Sequence, residues 1–265
     1  MLDIARYEAE KRSKGTAALT VGIALLSLAF VAFFPSLDGA DVDIDAMLEA
    51  YPPAVQEAFG IATLSTIEGF LAVEIYQFVW LLLLGLYFAY SAGGLIASDV
   101  ERDRMDLILS LPVSRSRVLG EKFLSLLVPI LALNIVVPLV VFFGVLAIGQ
   151  SISPLDLAMV HLLSIPYLLA CGAIGLVLSV LLSRADVAKR IAIALVFVLF
   201  LIESVSASAE GFEWIGYASP TYYYDPTAIL VEGSYDLTGA TVLLGAICVL
   251  VLVGRFRFTR TDIGA

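Results

Sequence analysis

Cationic side chains occupy only four short stretches of this chain, and their spacing restricts its fold more than any other feature. All fifteen Lys and Arg fall within 6–14, 102–122, 184–190 and 255–260. Between these stretches lie three intervals with no basic residue: Gly15 to Glu101, Phe123 to Ser183 and Ile191 to Gly254, of 87, 61 and 64 residues. Long apolar runs fill them, so that 60% of the 265 residues are hydrophobic and the mean hydropathy is +0.98. A soluble domain is roughly 45–50% apolar. About 20 apolar residues in a helix cross the hydrocarbon core, and only helices or closed barrels satisfy every backbone group inside lipid. The runs are continuous rather than alternating, so the expected fold class is an all-α membrane protein.

Basic residues mark cytoplasmic segments. Each basic-free interval therefore reads as an outward-pointing helical hairpin, giving six transmembrane helices, both termini in the cytoplasm and a multi-pass protein of the plasma membrane. The expected spans in this single domain (1–265) are about 15–34, 75–97, 123–148, 157–182, 191–209 and 238–254, with Pro35 stopping the first. Residues 1–14 mix apolar and charged side chains and read as an amphipathic helix on the inner surface. Between the fifth and sixth spans lies an outer aromatic segment carrying Phe212, Trp214, Tyr217, Tyr222, Tyr223, Tyr224 and Tyr235.

Fifteen cations and ten of the twenty-five acids belong to the inner segments, a net of +5, and the other fifteen acids place −15 outside or at the outer surface. With eleven Arg against four Lys, this pattern suits a salt-loving organism, a halophilic archaeon being the expectation, because acidic surfaces stay hydrated when salt screens charge. Cys171 and Cys248 sit in apolar runs and read as packing residues. The small pairs Ala89 with Gly93 and Cys171 with Gly175 have the four-residue spacing that lets helices approach closely in lipid.

The inner connector between the second and third spans, 98–122, has the most chemistry. Ser98 and Glu101 have capping-box spacing, and Asp99 and Glu101 suit the positive end of a helix dipole. Met105, Leu107, Ile108, Leu109 and Leu111 follow, Pro112 ends the helix, and Ser114 or Ser116 caps the next. The apolar half needs a surface, either the lipid headgroups or a soluble partner. The run from Asp99 through Leu107–Leu111 and Pro112 to Arg115, followed by Glu121-Lys122-Phe123, resembles the cytoplasmic signature of type 2 ABC exporter permeases. That family shows paired acids, a Gly-Thr, a leucine run, Leu-Pro-x-Ser-Arg and a Lys opening the next span; here Asp103 and Arg104 stand in place of Gly-Thr. Tyr7-Glu8 and Ser219 to Pro226 resemble further family segments.

The resemblance implies a permease subunit whose coupling helix meets a separate cytoplasmic ATPase, which binds the ATP and magnesium. It also implies a second permease subunit, identical or homologous, with the pathway between the two. The coupling residues it implies are Asp99, Glu101, Arg102, Asp106, Leu107, Ile108, Leu111, Pro112 and Arg115. No Gly-Lys dipeptide occurs, so the chain lacks a P-loop. Its one histidine, His161, reads as a packed or water-facing imidazole and leaves no serine–histidine–acid triad with another choice of base. Ionisable or strongly polar groups within spans are functional suspects, here Glu74, Asn134 and Glu203. Two other readings stand beside the permease: a polytopic enzyme acting on lipid, using Asp99, Glu101, Asp103 and Asp106 as a metal cluster, and a membrane anchor for a soluble partner. Membrane lipid is the surrounding solvent, and neither a cofactor nor nucleic acid is expected.

Overall fold

The computed structural model describes residues 3–38, 63–110, 112–206 and 211–260, and the described residues form helices and turns with no strand. Most of the acidic segment after the first span, with Asp41, Asp43, Asp45, Glu49 and Glu57, lies outside the described residues, as do Leu111 and 207–210. Helix α1 (Asp3–Asp38) is one unbroken rod of 36 residues. At 1.5 Å per residue it is about 54 Å long, nearly twice the hydrocarbon thickness of about 30 Å. The amphipathic start is therefore continuous with the first span rather than a separate surface helix. Pro35 lies inside the helix instead of stopping it.

The second span begins earlier than its hydropathy suggests. Helix α2 (Ile67–Leu71), N-capped by Thr66, runs into a π-helical segment (Ala72–Leu84) and then α3 (Gly85–Gly93). A turn at Gly94 leads to the short α4 (Ala97–Val100) and α5 (Arg104–Leu109). Ser114 caps α6 (Arg115–Leu124) by accepting from the Arg117 N–H, and α6 continues through one kinked turn into α7 (Leu127–Ala147). Ser153 caps α8 (Pro154–Leu181), with Pro154 in the first turn where its missing N–H costs nothing. A tight turn leads to α9 (Ala185–Ser206). Two 3₁₀ turns (Glu213–Ala218 and Pro220–Tyr223) and α10 (Pro226–Leu230) precede the last helix, α11 (Leu237–Arg260).

Among the described residues, five helices are long and apolar enough to cross a membrane: Asp3–Leu37, Ile67–Val100, Arg115–Ala147, Pro154–Leu181 and Leu237–Arg260. The expected span 191–209 falls on α9. Its described apolar part, Ile191 to Ser206, carries Glu203, and its expected end lies outside the described residues.

Helix α8 is the hub. It packs against α3, α11, α9 and α7, and 67% of its apolar window is buried within the chain, against 22% for α11 and 28% for α1. Close approach rests on small side chains. A Cβ on Gly175 would stand 2.2 Å from the Ala89 carbonyl oxygen, and one on Gly93 3.0 Å from the Lys189 Cα. The packing role of these small residues is what the structure displays. Tyr167 donates its hydroxyl to the Leu81 carbonyl in the π-helical segment at 2.6 Å. It occupies the space that a Cβ on Gly85 would take, 2.5 Å from the hydroxyl oxygen.

Candidate functional site

Hydrogen bonds gather the four basic stretches at one end of the bundle. Arg115 donates to the Phe258 carbonyl at 3.3 Å, and Arg255 to the Ser116 hydroxyl at 3.0 Å. Arg12 donates to Ser91 at 2.8 Å, and Lys189 lies 5.3 Å from the Tyr90 ring centre, near Gly94. This is the end where the connector lies.

The first half of the connector, 98–112, is not the single helix its sequence suggests. Ser98 sits inside α4, whose N-cap is Ile96 with no side-chain bond, so the capping box does not form. Asp103 adopts the left-handed conformation, φ 53°, and separates α4 from α5. The acids expected at a helix start are instead spent on tertiary contacts. Asp99 is buried and bonds Lys122 at 2.6 Å and Arg104 at 2.6 Å. Glu101 accepts the Ala185 N–H at 3.1 Å and so caps the start of α9. Helix α5 ends at Leu109, before Pro112. Met105 is buried, Ile108 and Leu109 are partly buried, and Leu107 is 71% exposed. Arg102 and Asp103 lie on the exposed surface, and so does Asp106. Asp99, Glu101, Asp103 and Asp106 do not converge, and no metal-holding group of His, Cys, Asp or Glu forms among the described residues.

Two residues that sequence reasoning did not single out as site residues hold this end together. Lys122 is 1% exposed and bonds both Glu8, at 2.5 Å, and Asp99. Glu121 accepts the Ile4 and Ala5 N–H groups at 2.8 and 3.2 Å, capping the start of α1, and also accepts Arg117 Nε at 2.6 Å. The one sequence signal was an acid–base pair directly before an apolar run; nothing in the spacing pairs Lys122 with a residue 114 positions away. Beside this network Ile4, Tyr7, Glu8, Arg104, Leu107 and Ile108 are among the residues lining a cleft of about 440 Å³.

Asn134, Glu203 and Glu74 occupy three different settings. Asn134 belongs to a buried interhelical chain. Tyr76 meets His161 Nε2 at 2.9 Å, His161 Nδ1 meets Asn134 Oδ1 at 3.0 Å, Ser164 donates to the same oxygen at 2.8 Å, and Trp80 donates to Ser164 at 3.0 Å. Since that oxygen only accepts, Nδ1 carries the hydrogen and Nε2 accepts from Tyr76. His161 is thus a packed imidazole. Asn134 and His161 also edge an apolar groove of about 500 Å³ between α7 and α8. Glu203, half-buried in α9, accepts a long bond of 3.5 Å from Thr221 in the aromatic segment. Glu74 is half-buried in the first turn of the π-helical segment.

The aromatic segment folds back over the acidic end of the bundle. Tyr224 stacks on Tyr167 at 5.4 Å and donates to the Val160 carbonyl at 3.0 Å. Ile229 and Leu230 enter the core. Tyr235 donates to the Asp156 carboxylate, a bond that holds its phenol above the ordinary value.

A family model described as ABC-2 family transporter protein matches residues 2–263. No curated protein matches the chain.

Proposed function

The chain belongs to the ABC-2 family of transporter proteins, and from that premise we propose that it exports its cargo when an ATPase works the connector at its basic end. As an ABC-2 chain it is the membrane component, or permease subunit, of an ABC transporter, with a partner ATPase subunit. In the proposed arrangement the chain crosses the plasma membrane six times with both termini in the cytoplasm. The acidic aromatic segment faces outward, and a second permease subunit completes the pathway.

One observation carries the docking reading. Leu107, a large apolar side chain on the basic end, is 71% exposed while its neighbour Met105 is buried. Contiguous exposed apolar patches rimmed by charge mark protein–protein contact sites, and Leu107 shares such a patch with the exposed Tyr7, with Asp3, Lys11 and Arg104 around it. The adjoining cleft has Ile4 and Tyr7 on one wall and Ile108 on the other. The poorly buried faces of α1 and α11 leave apolar surface for the second permease subunit and lipid. Glu203 is the favoured pathway residue, because it is a half-buried acid in an apolar helix and accepts a long hydrogen bond from Thr221. Asn134 beside its groove and Glu74 are the other pathway candidates.

The test is co-purification of the chain with an ABC ATPase subunit from the same genome. Leu107→Asp should abolish co-purification and leave the thermal unfolding of the isolated chain unchanged. Retention of the ATPase by that variant at the native level would sink the docking reading. Glu101 and Arg115 are poorer probes, because both bond other helices of the chain itself.

A further inference from the structure

We propose that Lys122 is a positioning residue that pins the start of α1 to the connector, so that residues 3–14 and 97–109 move as one rigid body. The proposal rests on the docking reading above and adds a second moving part to it. Lys122 is 1% exposed, and its Nζ lies 2.5 Å from Glu8 Oε1 and 2.6 Å from Asp99 Oδ2. One buried ammonium thus joins two buried carboxylates from separate segments of the chain.

Each carboxylate is balanced by further cations at the rim. Asp99 Oδ1 meets Arg104 at 2.6 Å, and Glu8 Oε2 lies 3.7 Å from Arg12 and 3.9 Å from Lys11. The neighbouring Glu121 caps Ile4 and Ala5, one turn of α1 before Glu8. Consecutive residues of α6 therefore grip α1 at two successive turns, and Lys122 extends the grip to Asp99 in the α4–α5 half of the connector. Arg12, bonded to Ser91, ties the same stretch of α1 to the shaft of the second span.

Burying a charged cluster of this kind is a poor source of stability. Well-packed apolar replacements are often as stable, whereas removing one partner leaves an uncompensated charge. What the cluster supplies is a fixed geometry. Asp99 and Glu8 have to stay within hydrogen-bond reach of one nitrogen, so a push on α5 passes to α1 without slack.

The experiment uses the full chain in lipid nanodiscs together with its ATPase. Cys171→Ala and Cys248→Ser remove the native thiols, and spin labels are placed at Glu10→Cys and Ser110→Cys, both exposed and outside the docking cleft. In the native background a single narrow label-to-label distance is expected, identical without nucleotide and with bound ATP. In Lys122→Met that narrow distance should be lost even without nucleotide, and Lys122→Arg should restore it in part. If Lys122→Met does not fold, Glu8→Gln, which leaves the ammonium with Asp99 alone, should give the same loss. A distance as narrow in the variants as in the native chain, or a native distance that changes on adding ATP, overturns the proposal. The nucleotide-free comparison needs no ATPase, so a failure of docking and a failure of the pin give different results.

Discussion

Asp103 shows how a single backbone angle shapes the connector. It is the one non-glycine residue with positive φ among the described residues, and it stands where the exporter signature usually has glycine. Left-handed backbone costs an L-residue roughly 1–2 kcal/mol, and Asp and Asn are among the few that visit it routinely. Glycine removes that penalty but adds chain entropy in the unfolded state. Asp103→Gly should therefore be neutral or stabilising by up to about 1 kcal/mol, and Asp103→Val destabilising by roughly 1–2 kcal/mol. Thermal unfolding in detergent reads both, and a Val variant as stable as the native chain would contradict the assigned backbone.

Among elements, contact between α8 and α3 sets the spacing of the whole bundle. Gly175 lies so close to Ala89 that a methyl group would overlap the carbonyl oxygen. Backbone cannot give way as a flexible side chain can, and overpacking of this kind costs typically about 1–3 kcal/mol. Gly175→Ala should lower the unfolding temperature of the purified chain, while Gly120→Ala, with open space around it, should not. Equal effects from the two would show that the helices are not in contact there. The split of the connector into α4 and α5 also belongs to this scale. Ser98 and Glu101 have the right spacing for a capping box, but the helix there starts at Ala97, so that Ser98 lies inside it and cannot be its N-cap. Asp99 and Glu101 bond a buried lysine and the start of α9 in place of a local cap.

For the whole molecule, sidedness is the property from which the rest follows. The hydrogen bonds from Arg115, Arg255 and Arg12 place widely separated basic stretches at one end, and the aromatic segment closes the other. A membrane-impermeant thiol reagent should reach Leu107→Cys only from the cytoplasmic side and Trp214→Cys, 65% exposed in the native chain, only from outside. Labelling of both from one side would remove the basis for an ATPase working on the connector.

Hydropathy and the placement of lysine and arginine were enough to determine an all-helical membrane chain and to locate its long helices, because the lipid solvent acts on each segment separately. The connector was recognisable for a similar reason: its acids, leucine run and proline are contiguous. Only the tertiary structure decided what those acids bind, since Glu8, Asp99 and Lys122 carry no mutual spacing and meet only when three helices pack. It also decided that the first helix runs unbroken past Lys14 and Pro35, that the second span contains a π-helical segment, and that His161 and Asn134 share one buried chain of hydrogen bonds. The Lys122 cluster and the buried chain depend on partners far away in the chain, and no local pattern of residues encodes such a partner.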